Sequence, residues 1–234
     1  MKKTSLVVPI LMLFAMTVAA TDSKTLTRTI QAGDIDTLEL DSGIGDVTMT
    51  ARDGLEEVVI EVVLTPRRGG IFSSKRRAER DVEAASLETA VKRDSLELRI
   101  DAPHDDKDRR FEERWVVDMP SRLMIKLEHG VGDIVIKGIA AGLELDSGVG
   151  DVDVEAVDGA VTIDLGVGTA VVRAPGAAYA SAESESGVGG ARLTVFGEEI
   201  EGEGFVSKAA SWSGGGSYRI EVSVGVGDAI IHLE

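Results

Sequence analysis

A tripeptide of the form Gly-[Val/Ile]-Gly begins at Gly43, Gly130, Gly148, Gly166, Gly187 and Gly225, and the copies at 130, 148 and 166 follow one another at 18 residues. The next intervals are 21 and 38 residues, the last close to two periods, with a degenerate Gly202-Glu203-Gly204 inside it. A fixed period of this length restricts the chain to architectures in which one small unit stacks on copies of itself.

Aligning the copies defines the unit. Ile125, Leu127, Val131, Ile134 and Ile136 recur as Leu143, Leu145, Val149, Val152 and Val154, and again as Val161, Ile163, Val167, Ala170 and Val172. Apolar residues alternate on both sides of the glycines, so each unit is two short strands with one face of each turned inward. Such a unit cannot bury its apolar face alone, and parallel stacking on its neighbours solves that. The expected fold is all-β: a two-sheeted parallel β-solenoid with about 18 residues per turn. A branched apolar residue always stands between the glycines, which is unusual for a turn. We expect that side chain to point inward at a corner, with the glycines permitting close backbone approach. Gly138, Gly142, Gly159 and Gly176 mark the second corner less strictly.

The pattern also appears N-terminally as Leu38, Leu40, Ile44, Val47 and Met49 and C-terminally as Ile220, Val222, Val226, Ala229 and Ile231, so both ends belong to the stack. The unit with Ala180, Ala182, Val188, Ala191 and Leu193 is smaller. Either the stack narrows there, or Phe196 or Phe205 fills the space. Between Gly43 and Gly130, segments 58–64, 96–100 and 115–118 read as strands, and the charged stretch 73–92 predicts a short amphipathic helix through Ala78, Val82, Ala85 and Leu87. We read 73–114 as an irregular charged excursion of one domain.

Met1-Lys2-Lys3 followed by an apolar run over 6–18 and by Val18-Ala19-Ala20 reads as a signal peptide over 1–20, the run being too short to span a bilayer. That leaves 21–234 as a single β-solenoid domain on an exported chain, with no transmembrane span after cleavage. The sequence contains no cysteine, so stability must come from burial and backbone pairing. Forty-one acidic residues against 25 basic ones give a net charge of −16, which disfavours nucleic acid and favours cationic partners. Aromatics are 4% of the residues while glycine numbers 27, which suits a thin interior of small and β-branched side chains.

The Gly-Val-Gly-Asp turns, the 18-residue spacing, the Asp118-Met119-Pro120 element leading into 123–127 and the export signal resemble one family. They are similar to the exported β-strand-repeat proteins known as putative adhesins or toastrack domains of bacterial cell envelopes. The resemblance covers roughly residues 30–234. It implies a non-catalytic binding or scaffolding module, periplasmic, surface-exposed or secreted, associated with adhesion or envelope-stress sensing. It supplies no catalytic residues.

Among side chains that could carry chemistry, the aspartate after the glycine turn recurs at Asp46, Asp133, Asp151 and Asp228, with Thr169 and Gly190 in its place elsewhere. We expect its carboxylate to accept turn N–H groups. Calcium-binding β-roll nonapeptides are absent, because Asp151 follows Gly150 one place too early. His104, His129 and His232 lack zinc-ligand spacing and read as isolated surface residues. The stretch 211–217 lacks a nucleophile elbow and reads as a flexible loop. Gly187-Val188-Gly189-Gly190 is followed by a strand, not by the helix a dinucleotide site needs. No catalytic, cofactor-binding or metal-ligating set is therefore expected. A polysaccharide-active enzyme using Asp133, Asp151 and Asp153 on one face is the alternative. The basic cluster Arg67, Arg68, Lys75, Arg76, Arg77 and Arg80 is a candidate contact for an envelope polymer or protein, and the open solenoid ends are candidate sites of self-association.

Overall fold

The structure, a computed structural model, describes residues 23–67, 75–103, 110–156, 158–204 and 207–234. The signal-peptide segment 1–20, Arg68, His104 and Phe205 lie outside the described residues. Seventeen strands and one helix are described, and the strands form one continuous sheet that folds around a shared interior.

Four strands run up to the glycine corner on what we term the front: β2 (Thr37–Ile44), β8 (Met124–Val131), β10 (Gly142–Val149) and β13 (Tyr179–Val188). Four leave it on the back: β3 (Val47–Arg52), β9 (Ile134–Ile139), β11 (Val152–Ala156) and β14 (Ala191–Val195). β12 (Ala160–Ala174) and β17 (Tyr218–Leu233) pass from front to back without interruption, which joins the two faces into a single hydrogen-bonded sheet.

The register is the one the repeats dictate. Leu143 pairs with Ile125 and Val161, Leu145 with Leu127 and Ile163, Val152 with Ile134 and Ala170, and Val154 with Ile136 and Val172. Like therefore stacks on like, and a one-residue slip would turn every buried side chain to solvent. The inward columns are fully buried, each Val, Leu or Ile contributing roughly 1.5–3 kcal/mol before entropy is set against it.

Layer order departs from chain order at both ends. β17 pairs in parallel with β12 on one side and with β13 and β14 on the other, so the Gly225 turn sits between those of Gly166 and Gly187. The 38-residue interval therefore holds no forward turn. Instead β15 (Glu198–Glu201) and β16 (Lys208–Ser213) run antiparallel to β14 and β13, and Gly202-Glu203-Gly204 lies on the return path between them. The stretch expected to be a flexible loop is the end of β16 and a tight turn. The N–H groups of Gly214, Gly216 and Ser217 donate to the carbonyls of Ala180, Tyr179 and Ala178.

At the other end β6 (Ser95–Asp101) and β7 (Phe111–Pro120) form a further layer outside β2 and β3. β4 (Glu57–Pro66) lies antiparallel to both β7 and β1 (Lys24–Gln31), and β5 (Ser86–Lys92) antiparallel to β6. The charged excursion thus contains regular structure. Its helix α1 (Lys75–Ala84) buries Ala78 and Val82, followed by buried Ala85, while Leu87 already belongs to β5. The Lys24 ammonium donates to the carbonyls of Glu83 and Ala85, satisfying free acceptors at the helix C-terminus.

Phe196 does not fill the small layer. Phe196 is 64% exposed and meets Trp212 edge-to-face at 6.4 Å, whereas Tyr179 is wholly buried and Ser184 is buried in the column that holds Val222 next door. The register shifts between Tyr179 and Ser181, so Ala180 does not continue the inward column.

Candidate functional site

The glycine corner determines the surface chemistry. A Cβ on Gly148 would lie 2.4 Å from the Gly130 carbonyl oxygen, and one on Gly150, whose φ is +146°, would lie 1.9 Å from that of Gly132. Both positions exclude side chains, the second also by backbone conformation. The residue between the glycines does not point inward. Val131, Val149, Val167, Val226 and Val188 are 44–60% exposed and stack in register, with Ile44 at one end of the row. The expectation failed because the positive-φ glycine rotates the chain, breaking strict alternation: inward packing resumes only at Ile134, Val152 and Ala170.

Beside this ridge the front face carries a second row. Asp41, Glu128, Asp146, Asp164 and Glu185 occupy one register position, with Ser223 between Asp164 and Glu185. All five carboxylates are exposed and make no hydrogen bond or ion pair among the described residues. The carboxylates, the first glycines of each turn, Ile44 and Val131 line an open groove of about 920 Å³, bounded at one end by Ser207, Lys208 and Ala209. The sequence signal was available: an acidic residue stands two places before the first glycine in Asp-Ser-Gly, Glu-His-Gly, Asp-Leu-Gly and Glu-Ser-Gly. The aspartate that follows the turn is the more regular mark in the sequence, because it stands directly against the glycines.

That second aspartate is structural. Asp133 N–H donates to Asp46 Oδ1 (3.3 Å), Asp151 N–H to Asp133 Oδ1 (3.0 Å), Thr169 N–H to Asp151 Oδ1 (2.9 Å) and Gly190 N–H to Asp228 Oδ1 (2.7 Å). Each carboxylate thus ties its turn to the next layer, accepting turn N–H groups as expected. Asp153 lies on the back, paired with Arg173 at 2.7 Å. The three carboxylates of the polysaccharide-enzyme alternative are therefore engaged, and they do not share a face with the groove.

His129 is not a surface residue. It is 6% exposed, stacked in register between Ser42 and Ser147 at the position preceding the first glycine, and it lines the groove. Neither ring nitrogen has a partner at hydrogen-bond geometry, and the Ser147 hydroxyl also lacks one. Burial pushes the His129 pKa below its ordinary value, opposed by the Gly132 backbone nearby and the carboxylates of Asp46 and Asp133. Next in this column, Ser42 Oγ donates to buried Glu113 at 3.4 Å, and Trp115 Nε1–H donates to the same carboxylate at 2.8 Å. His232 is half-buried on β17. Of the basic cluster, Arg76, Arg77 and Arg80 are exposed on α1, and Arg67 pairs with Glu112 at 3.7 Å. These four arginines lie at the N-terminal end of the stack, and none of them lines the groove.

The molecule is thus a β-solenoid whose ends are closed by antiparallel strands. No family model and no curated protein matches the sequence. Among solved structures it is similar to a putative cell adhesion protein from Clostridium sporogenes, at 21% identity and a TM-score of 0.60, over 91% of this chain and 100% of that one. Putative adhesins from Bacteroides fragilis and Parabacteroides distasonis also match, each at 12% identity over 90% of this chain and 97% of the other, with TM-scores of 0.26 and 0.29. The first likeness shows the fold. No described helix is long and apolar enough to cross a membrane.

Proposed function

We propose that this protein is a non-catalytic binding or scaffolding module of a bacterial cell envelope, adhesin-like or linked to envelope-stress sensing, that holds its partner on the front face. In this reading residues 1–20 are removed on export, and 21–234 act as one solenoid domain in the periplasm or at the cell surface. The observation that carries it is the front face: a groove lined by five free carboxylates, next to a row of exposed branched apolar side chains set in the same register. Free exposed groups of both kinds suit association, whereas Asp133, Asp151 and Asp153 are already held by backbone N–H groups or Arg173. The edge strands β1, β5, β15 and β16 add a second mode, self-association through the stack ends.

The test is capture from detergent-solubilised envelope with the chain lacking residues 1–20. A double charge reversal, Asp146→Lys with Asp164→Lys, is compared with Arg76→Glu and Arg77→Glu on α1. A partner retained by the wild type and the α1 variant but lost from the front-face variant supports the reading. Loss from the α1 variant alone moves the contact to the basic cluster, and turnover of envelope glycan by the wild type overturns the non-catalytic assignment.

A further inference from the structure

Resting on that reading, we infer that the groove takes an extended polypeptide segment in which basic and aliphatic residues alternate. The two walls differ in chemistry and run parallel. One is the carboxylate row Asp41, Glu128, Asp146, Asp164 and Glu185, which lines the groove throughout, and the other is the exposed ridge that enters the groove at Ile44 and Val131 and continues in register through Val149, Val167 and Val226 to Val188. The floor between them is glycine backbone.

Charge points to a cationic ligand, because the groove sets five carboxylates against the single ammonium of Lys208, with Arg99 beside Asp41 in the layer beyond. On the back the corresponding outward positions mix signs, with Lys137, Arg173 and Arg192 among Asp153 and Glu155. Like charges about 4.8 Å apart along the front row repel weakly in water, and a cation laid along them relieves that repulsion. The valine ridge asks for aliphatic contact on the opposite side. Aliphatic side chains are what a peptide supplies and a cationic glycan lacks, and the exposed valines therefore favour a peptide.

Geometry then sets the pattern. Six layers at about 4.8 Å span about 24 Å, which an extended chain rising about 3.4 Å per residue covers in about seven residues. A chain lying flat on the glycine floor directs successive side chains to opposite walls, because alternation has a period of two. One set meets carboxylates and the other meets valines. A side chain on the floor would lift the backbone away, so the glycines that the solenoid needs for packing also bring the ligand close.

The test uses a capped seven-residue peptide alternating lysine and valine, titrated into the chain lacking residues 1–20 and followed by fluorescence anisotropy at low and moderate salt. Controls are a block isomer with the lysines followed by the valines, a glutamate-for-lysine analogue and spermidine. The alternating peptide is expected to bind about tenfold more tightly than the block isomer. Asp146→Asn with Asp164→Asn is expected to weaken it about tenfold, with reduced salt dependence. Val149→Ser with Val167→Ser should weaken it several-fold while leaving spermidine binding unchanged, and circular dichroism checks that each variant folds. Equal affinity for the block isomer or for spermidine reduces the site to unspecific charge attraction and overturns the inference. Absence of peptide binding also overturns it; if an envelope partner is still lost by the front-face charge reversal, the groove reading survives and only the ligand chemistry fails.

Discussion

Replacing His129 by leucine should stabilise the protein and remove part of its sensitivity to acid. The position is one column of the corner, occupied by Leu165 and Val224 in other layers, so the fold already accommodates a branched aliphatic side chain there. At neutral pH the wild type holds a desolvated imidazole without a well-formed hydrogen bond, a cost of about 1–3 kcal/mol that leucine removes while burying more apolar surface. We expect a gain of about 1–2 kcal/mol, or about 2–4 °C in Tm per kcal/mol for a chain of this size. The pH dependence has a definite sign. Burial depresses the folded-state pKa below the unfolded value of 6.5, so the unfolded chain binds the proton more readily. The contribution of neutral His129 is complete above that value. As pH falls below it, stability is lost at up to about 1.4 kcal/mol per pH unit until the folded-state ring also protonates. Asp46 and Asp133 beside the ring, and Glu113, which accepts a hydrogen bond from the neighbouring Ser42, are common to both proteins. The assay is urea unfolding of both proteins at pH 7.5, 6.5, 5.5 and 4.5, read by Trp115 fluorescence. The gap between them should widen below pH 6.5. A constant gap, or a variant less stable at pH 7.5, would refute the argument and assign the ring a hydrogen bond to the Gly132 backbone.

Other expectations follow from the same geometry. Gly150→Ala combines a positive φ with a Cβ 1.9 Å from backbone oxygen, so it should cost about 3 kcal/mol or more, while Gly197→Ala, with open space around its Cβ, should cost about 1–2 from backbone conformation alone; denaturant midpoints separate them. Asp151→Ala removes the acceptor for Thr169 N–H and should destabilise by about 0.5–1.5 kcal/mol, whereas Asp164→Ala on the free row should be neutral or slightly stabilising in the same measurement. Burial raises the Tyr179 pKa from 10.0 to about 12. The neutral phenol is then favoured in the folded state, and roughly 2–3 kcal/mol of stability should disappear as pH rises from about 10 to about 12, unless Tyr179→Phe removes that alkaline limb. Deleting 218–234 should unfold the chain, because β12, β13 and β14 all lose their β17 partner; a cooperative transition in the truncated protein would contradict the layer order.

What the sequence alone determined was the local unit and its register. Period-two alternation around Gly-Val-Gly decides which residues face inward, and identical units can stack only like on like, so Leu145 above Leu127 and Ile163 followed directly. The aspartate after the turn was also legible, because its carboxylate is chemically suited to a turn N–H and one occurs in the neighbouring layer. Tertiary structure decided the rest. Every layer carries nearly the same pattern, so pairing energy does not distinguish the order Gly166, Gly187, Gly225 from the observed Gly166, Gly225, Gly187. That choice falls to the return hairpin of β15 and β16 and to the long β17. The outward turn of the valines likewise depends on a corner conformation that alternation does not encode. Only stacking six of those corners turns isolated valines and carboxylates, spread from Asp41 to Val226, into two parallel rows, the acidic one lining a groove.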